Sequence, residues 1–301
     1  MTRIGTRGSP LALAQAAWVA QRLPGDTEIV RITTSGDRGS AAIADKARWV
    51  SELEQALLDD RIDLAVHSAK DVPAELADGL ELVAIPERAD PRDAICGAPS
   101  LAALPASARL GTSSLRRAAQ VRAARADLEV VSLRGNVDTR LRRLADGEVD
   151  ALVIAMAGLQ RLGRGGEVGA ALNPDVLVPA AGQGALALQA RPEALDAAAL
   201  AVLSDPDTTA CVNAERELTR ALGASCDTPV GAHALRLRDG RIQLTGWVGL
   251  PDGSAWLRDR VCARAAGLGL GVAERMLAAG AGELLREAGA WGSAPERGRA
   301  G

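Results

Sequence analysis

The sequence predicts an α/β protein of more than one domain, closed by a smaller α+β unit at the carboxyl end. Three observations predict it. Strand and helix patterns alternate over the first 90 residues, the alternation restarts near Arg109, and after Ala210 one helix gives way to three strands joined by tight turns. A chain of 301 residues, 48% hydrophobic and 24% charged, holds enough apolar material for two or three cores. It contains no run of about 18 apolar residues, so no membrane-spanning helix is expected.

Ile4-Gly-Thr6 reads as a short strand, Ser9 as an N-cap and Pro10 as a first-turn proline, with a helix to about Leu23. Arg3 and Arg7 before this apolar stretch imitate an export signal. Gln15 in its middle and the capping residues favour a folded helix instead, which implies a cytoplasmic protein. Thr27–Thr33 is a strand, Trp49–Leu58 an amphipathic helix, and Asp63–His67 a buried strand ending at Ser68-Ala-Lys-Asp-Val-Pro73. Leu80–Ile85 is a further strand before the linker Pro86–Pro91.

In the second half-pattern, Arg109–Gly111 enters Thr112-Ser-Ser-Leu-Arg-Arg117, which opens a helix through about Arg125. Leu128–Leu133 is a strand, Arg134-Gly-Asn136 a junction, and Val137–Ala145 a helix closed by Gly147. Asp150–Ala155 is a strand leading into a helix over Met156–Leu162. Such alternation implies mostly parallel sheets covered on both faces. Beyond it come a helix over Cys211–Leu222, the small-residue loop Gly223-Ala-Ser-Cys-Asp227, and strands near Ala232–Leu237, Ile242–Gly249 and Ala255–Val261. Hairpin turns fall at Arg238-Asp-Gly240 and Pro251-Asp-Gly253, a final helix covers about Gly269–Ala288, and the last ten residues read as frayed.

Ligands of open α/β sheets bind outside the carboxyl ends of the strands, often at helix N-termini. Ser68–Asp71, Thr112–Arg117, Arg134–Asn136 and Met156–Arg161 fall at such places, and their polar groups are expected to converge on a cleft between two domains. Residues 109–143 hold nine arginines against three acids, a formal +6, within an overall charge of −3. A guanidinium grips a carboxylate or phosphate through two parallel bonds. Arg116, Arg117 and Arg134, at strand–helix junctions, are the arginines expected to bind an anion. Arg122, Arg125, Arg142 and Arg143 read as solvated helix positions. The acidic remainder, and the absence of Tyr and Phe, count against a nucleic-acid groove.

Asp71, on a loop leaving a buried strand, could stabilise a cation or shuttle a proton in an arginine-rich site; the plainer alternative is a loop aspartate capping backbone amides. Of the four cysteines, Cys96, Cys211 and Cys262 sit where cysteine acts as a small hydrophobe, whereas Cys226 lies in an open loop of small residues. No CxxC pair occurs and the two histidines, His67 and His233, lie far apart, so no metal site is expected and a reducing compartment is the simpler reading.

Nine segments, in order, resemble the porphobilinogen deaminase family: Thr6-Arg-Gly-Ser-Pro-Leu-Ala-Leu13, Asp63 through Pro73, Glu87-Arg-Ala-Asp-Pro-Arg-Asp-Ala94, Gly111 through Arg117, Ser132-Leu-Arg-Gly-Asn-Val137, Ala157-Gly-Leu-Gln-Arg-Leu162, Ala181-Gly-Gln-Gly184, Glu215-Arg216 and Gly223 through Gly231. The resemblance implies a transferase that joins four porphobilinogen molecules into hydroxymethylbilane with release of ammonia. It implies growth on a dipyrromethane cofactor held by a thioether to Cys226. The cofactor and substrate carboxylates would then be met by Arg7, Ser9, Ser68, Lys70, Thr112, Ser113, Arg116, Arg117, Arg134, Arg140, Arg161 and Gln183. Asp71 takes the catalytic role, beside the cationic azafulvene left when ammonia departs.

The family fold implies three domains: 1–88 with 182–204, 91–179, and 209–301. The first two are like the halves of periplasmic binding proteins and flank the active cleft; the third, α+β with a three-stranded antiparallel sheet, carries the cysteine. A monomer acting on a small molecule, without nucleic acid or membrane, is expected. The chain departs from the family at Ala44-Asp-Lys-Ala-Arg-Trp49, where a Gly-Gly-Lys-Gly-(Leu/Val)-Phe stretch is usual. Lys46 keeps the lysine, but the glycines and phenylalanine are gone and the preceding loop is shorter. A non-enzymatic two-lobed anion-binding protein is the rival reading. It would need neither Cys226 nor Asp71, and would show the bare chain mass.

Overall fold

The computed structural model describes residues 1–32, 47–192, 194–224 and 228–291, without the side chains of 47–49. In chain order the elements begin β1 (Thr2–Arg7), α1 (Pro10–Ala20), β2 (Thr27–Ile32), α2 (Ala47–Leu58), β3 (Leu64–Ser68) and β4 (Glu81–Ala84). Next come β5 (Asp93–Cys96), β6 (Arg109–Gly111), α3 (Leu115–Ala124), β7 (Glu129–Val131), α4 (Val137–Ala145), β8 (Ala151–Ala155), α5 (Met156–Arg161) and β9 (Ala170–Ala171). The remainder is β10 (Leu186–Ala190), α6 (Ala197–Leu203), α7 (Pro206–Ala221), β11 (Val230–Arg236), β12 (Ile242–Gly249), β13 (Trp256–Ala263), α8 (Leu268–Ala278) and α9 (Ala281–Trp291).

These strands build the α/β architecture with a separate antiparallel sheet that the sequence predicts. The first sheet runs β2-β1-β3-β10-β4; β1 is parallel to β2 and β3, and β10 is antiparallel to both its neighbours. The second runs β7-β6-β8-β5-β9, with β6 parallel to β7 and β8 and β9 antiparallel to β5. The third, β11-β12-β13, is antiparallel throughout.

The chain forms two compact units. One comprises Met1–Arg92, Ala155–Val168 and Ala181–Asn213, the other Asp93–Ile154, Gly169–Ala180 and Ala214–Gly301. In the first unit, α1 covers one face of the sheet through Ala16 and Val19 against Ile4, Leu64, Val66 and Leu188. On the other face α2 packs Leu53, Ala56 and Leu57 against Ile62 and Ala65. Each fully buried aliphatic side chain contributes roughly 1.5–3 kcal/mol. In the second unit, Ala119 of α3, Val178 and Trp247 of β12 form one buried cluster. There the hairpin at Gly253 (φ +78°) approaches α3 so closely that a Cβ would lie 2.5 Å from the Ala123 nitrogen.

Local chemistry explains the element ends. Ser9 Oγ accepts the Ala12 N–H at 3.3 Å and Pro10 opens α1, as its sequence predicts. Asn136 caps α4 by accepting the Thr139 N–H at 2.8 Å. Three expectations need correction. Helix α7 begins at Pro206 rather than near Cys211, because Asp205 accepts the Thr208 N–H at 2.6 Å. The final helix is two helices, broken at Gly280 with φ +102°. Cys262 is exposed on β13 rather than packed as a small hydrophobe, while Cys96 and Cys211 are buried. Thr33, the segment through Lys46, Ser225, Cys226, Asp227 and the last ten residues lie outside the described residues.

Candidate active site

Strands β1 and β3 end side by side, and their carboxyl ends carry Arg7 and Ser68. Ser68 Oγ accepts the Gln15 Nε2–H at 2.9 Å, so a buried glutamine of α1 anchors the start of the site segment. A single 3-10 turn, Ala69–Asp71, follows and leaves Lys70 and Asp71 half-buried. Against this turn rests Gly182, whose φ of +70° and closeness to the Ala69 and Lys70 backbone (2.9–3.0 Å from a notional Cβ) admit only glycine without strain. Next to it the buried Gln183 donates from Nε2 to the Pro91 carbonyl at 2.8 Å, and its own carbonyl accepts from Arg88 Nε at 2.8 Å. Arg161, the last residue of α5, donates to the Gly184 carbonyl at 2.7 Å. Burial draws its pKa down to about 10. Ser9 is the α1 cap described above.

The second unit places Thr112 and Ser113 beyond β6, Arg134 beyond β7, and Arg116 and Arg117 in the first turn of α3. Asp93, fully buried at the start of β5, ties the two arginines together. Arg116 Nη1 meets Asp93 Oδ2 at 2.9 Å and the Val178 carbonyl at 2.7 Å; Arg117 Nε meets Asp93 Oδ1 at 3.0 Å. One carboxylate against two guanidiniums leaves these three side chains with a formal +1. Arg140 on α4 reaches back to Ser113, donating to its Oγ at 3.0 Å. Arg134 is exposed.

Arg140 tests whether these residues suit a polycarboxylate. Burial, and the like charge of Arg117 nearby, draw its pKa down to about 10. Its Nε is buried and finds no hydrogen-bond partner among the described residues. A desolvated cation with an orphaned donor is costly unless an anion completes it. Dipyrromethane and porphobilinogen carry acetate and propionate groups of the right chemistry, so the site fits them.

Sequence reasoning missed Asp93, Gln15 and the Glu54–Gln189 pair beneath β3. An acid opening the apolar run Asp93-Ala-Ile-Cys96 was the available signal, since a carboxylate inside a strand needs cations. Two arginines read as solvated are structural instead. Arg122 donates to the Pro251 carbonyl at 2.7 Å, and Arg125 pairs with Asp127 while donating to the Leu101 and Leu104 carbonyls at 2.8 and 3.0 Å. Among the described residues no cluster of three or more His, Cys, Asp and Glu could hold a metal, and no helix is long and apolar enough to cross a membrane.

Desolvated arginines, of which Arg140 and Arg161 have no acidic partner among the described residues, mark the class: a protein suited to an anionic, carboxylate-bearing ligand. Residues 2–199 match the family model "Porphobilinogen deaminase, dipyromethane cofactor binding domain", and 209–278 match "Porphobilinogen deaminase, C-terminal domain". Curated relatives named porphobilinogen deaminase include one from Deinococcus radiodurans, 46% identical over 300 residues and covering 94% of this chain and 97% of its own. Another, from Roseiflexus castenholzii, is 48% identical over 298 residues with the same coverage. The one from Brevibacillus brevis is 44% identical over 300 residues, covering 95% and 96%. A distant likeness, at TM-score 0.40 and 14% identity, is to a periplasmic substrate-binding protein from Coxiella burnetii, over 69% of this chain and 94% of that one.

The chain belongs to the porphobilinogen deaminase family. It is a transferase that assembles hydroxymethylbilane from porphobilinogen on a dipyrromethane cofactor, and the reading as a non-enzymatic binding protein is not favoured.

Proposed function

We propose that Asp71 is the catalytic carboxylate of this reaction, and that Arg7, Ser9, Arg161 and Gln183 meet the substrate. In the same reading Ser68, Lys70, Thr112, Ser113, Arg116, Arg117, Arg134 and Arg140 hold the cofactor, attached through Cys226. When bound, the dipyrromethane supplies the pyrrole carbon on which the product chain is extended. Arg140, with its orphaned Nε, is the observation that carries this reading. Its guanidinium would take a ligand carboxylate, with Ser113 fixing its orientation. Asp93 keeps Arg116 and Arg117 in one conformation, so the net positive charge of the cluster is fixed in place before a ligand arrives rather than ordered on binding. Asp71 supplies negative charge where loss of ammonia from porphobilinogen leaves a cationic methylene, and it can accept the pyrrole N–H.

Three separate sheets support a functional division into domains 1–88 with 182–204, 91–179, and 209–301. We further propose a cytoplasmic monomer; the acidic balance outside residues 109–143 supports its working without nucleic acid or an anionic membrane surface. Intact-mass measurement of the parent and of Cys226→Ser tests the whole. The parent should carry the dipyrromethane mass and the variant the bare chain; an adduct persisting on Cys226→Ser refutes the attachment.

A further inference from the structure

Strand β3 alternates between two helices: Leu64 and Val66 face α1, whereas Ala65 packs with α2. His67 shares the Ala65 face, and Gln189 of β10 pairs directly with Ala65. On this face three side chains, none more than 9% exposed, form one continuous chain. His67 Nε2 lies 3.0 Å from Gln189 Oε1, and Gln189 Nε2 donates to Glu54 Oε1 at 2.8 Å. The same Glu54 oxygen accepts the Ala77 N–H at 3.2 Å.

Donor and acceptor rules fix the direction of this chain. Glu54 Oε1 already receives a backbone N–H, so it is an acceptor, and Gln189 must turn its NH2 toward it. Gln189 then has only its carbonyl oxygen to offer His67, which must donate. His67 is therefore the Nε2–H tautomer. Burial pushes its pKa down to about 4, against the smaller opposing pulls of Gln189, Glu54 and Asp71, so the ring is neutral.

The chain holds a particular stretch of backbone. His67 immediately precedes Ser68, and Ala77 follows the stretch that carries Lys70 and Asp71. One carboxylate on α2 thus grips both ends of residues 68–76, directly at Ala77 and through Gln189 at His67. We propose that Glu54 is the positioning residue for the turn bearing Asp71, with Gln189 and His67 as its relay. This rests on the reading of Asp71 as the catalytic carboxylate. None of the three needs to touch substrate; a misplaced carboxylate costs turnover more than it costs binding of substrate carboxylates elsewhere.

The test uses the full-length holoenzyme labelled with ¹⁵N-histidine. Only His67 and His233 contribute, and a His233→Gln sample assigns them. The parent at pH 7 should show His67 as Nε2–H. Gln189→Leu cuts the relay: it should lose that single tautomer pattern and lower kcat about 10-fold or more, with KM within about twofold and the adduct mass retained. Glu54→Gln, whose amide oxygen can still receive both N–H groups, should keep kcat within about twofold of the parent. An Nδ1–H tautomer in the parent overturns the proposal whether or not any variant folds, and so does a folded Gln189→Leu enzyme of parental kcat. Full turnover by Asp71→Asn would instead overturn the reading beneath, leaving the His67 tautomer as measured.

Discussion

The two α/β sheets both bury polar side chains behind the carboxyl ends of parallel strands, and they do so with opposite chemistry. Beside β3 the hydrogen bonds join uncharged partners on its two faces, Gln15 to Ser68 toward α1 and His67 to Gln189 toward α2, and only the second runs on to the carboxylate of Glu54. Beside β5 and β6 the groups are ionic, with Arg116 and Arg117 on Asp93 and with Arg140 close by. An uncharged relay fixes direction without adding field, which suits a segment whose own aspartate must supply the charge. An ionic cluster with more cations than anions builds field, which suits holding carboxylates.

The comparison predicts that the ionic side is the more fragile. Asp93→Asn keeps shape and leaves two buried guanidiniums without their counter-charge, a change that costs roughly 3–5 kcal/mol. Denaturant midpoints should fall accordingly. A loss below about 1 kcal/mol would mean that water or another group already serves Arg116 and Arg117, and the contrast between the sheets would collapse.

Asp71→Asn comes next. It removes one charge from the hydrogen-bonded side and should lower turnover about 10²- to 10³-fold while porphobilinogen still binds. Single-turnover and binding measurements separate the two effects. A variant that turns over normally returns Asp71 to a backbone-capping role; one that fails only to bind makes it an organiser of the loop.

The sequence showed the surfaces of this design better than its interior. Val137–Ala145 and Ile242–Gly249 are legible to the residue, because capping and turn residues sit beside each apolar pattern. Strands β9 and β10 are not, since their partners lie far along the chain and nothing local announces them. For the same reason the acid that Arg116 and Arg117 share inside the fold cannot be read from their own segment; Asp93 lies more than 20 residues earlier. Glu54 and Gln189 are 135 residues apart and become one device only once β10 is inserted beside β3.

The uncharged side also has a pH signature. His67 titrates near 6.5 when unfolded and at about 4 when folded, with burial the main cause. The unfolded chain therefore takes up the proton first, and the stability that neutral His67 provides is present above pH 6.5 and lost as pH falls toward 4. The full difference amounts to about 3 kcal/mol. Urea midpoints between pH 7 and pH 4.5 should fall more steeply for the parent than for His67→Gln. Equal slopes would show that the ring is not held neutral, and the two sheets would no longer differ in kind.

The smallest effect expected divides the ionic side itself. Arg116 and Arg117 are compensated within the fold by Asp93, whereas Arg140 has a hydroxyl, a like charge nearby and a buried Nε with no hydrogen-bond partner among the described residues. A buried cation of that kind strains the ligand-free chain and is relieved when a carboxylate arrives, so its removal should act in opposite directions in the two states. In a Cys226→Ser background, which lacks the adduct on the present reading, Arg140→Met should be neutral or raise stability by about 1 kcal/mol, as apolar replacement of a poorly compensated buried charge does. In the adduct-bearing protein the same substitution should lower stability, because the ligand carboxylate then loses its cation. Thermal unfolding of the four proteins gives the coupling between residue 140 and the adduct without any assay of turnover. Additive effects would place Arg140 outside the cofactor's reach and leave its Ser113 contact as a feature of the empty fold alone.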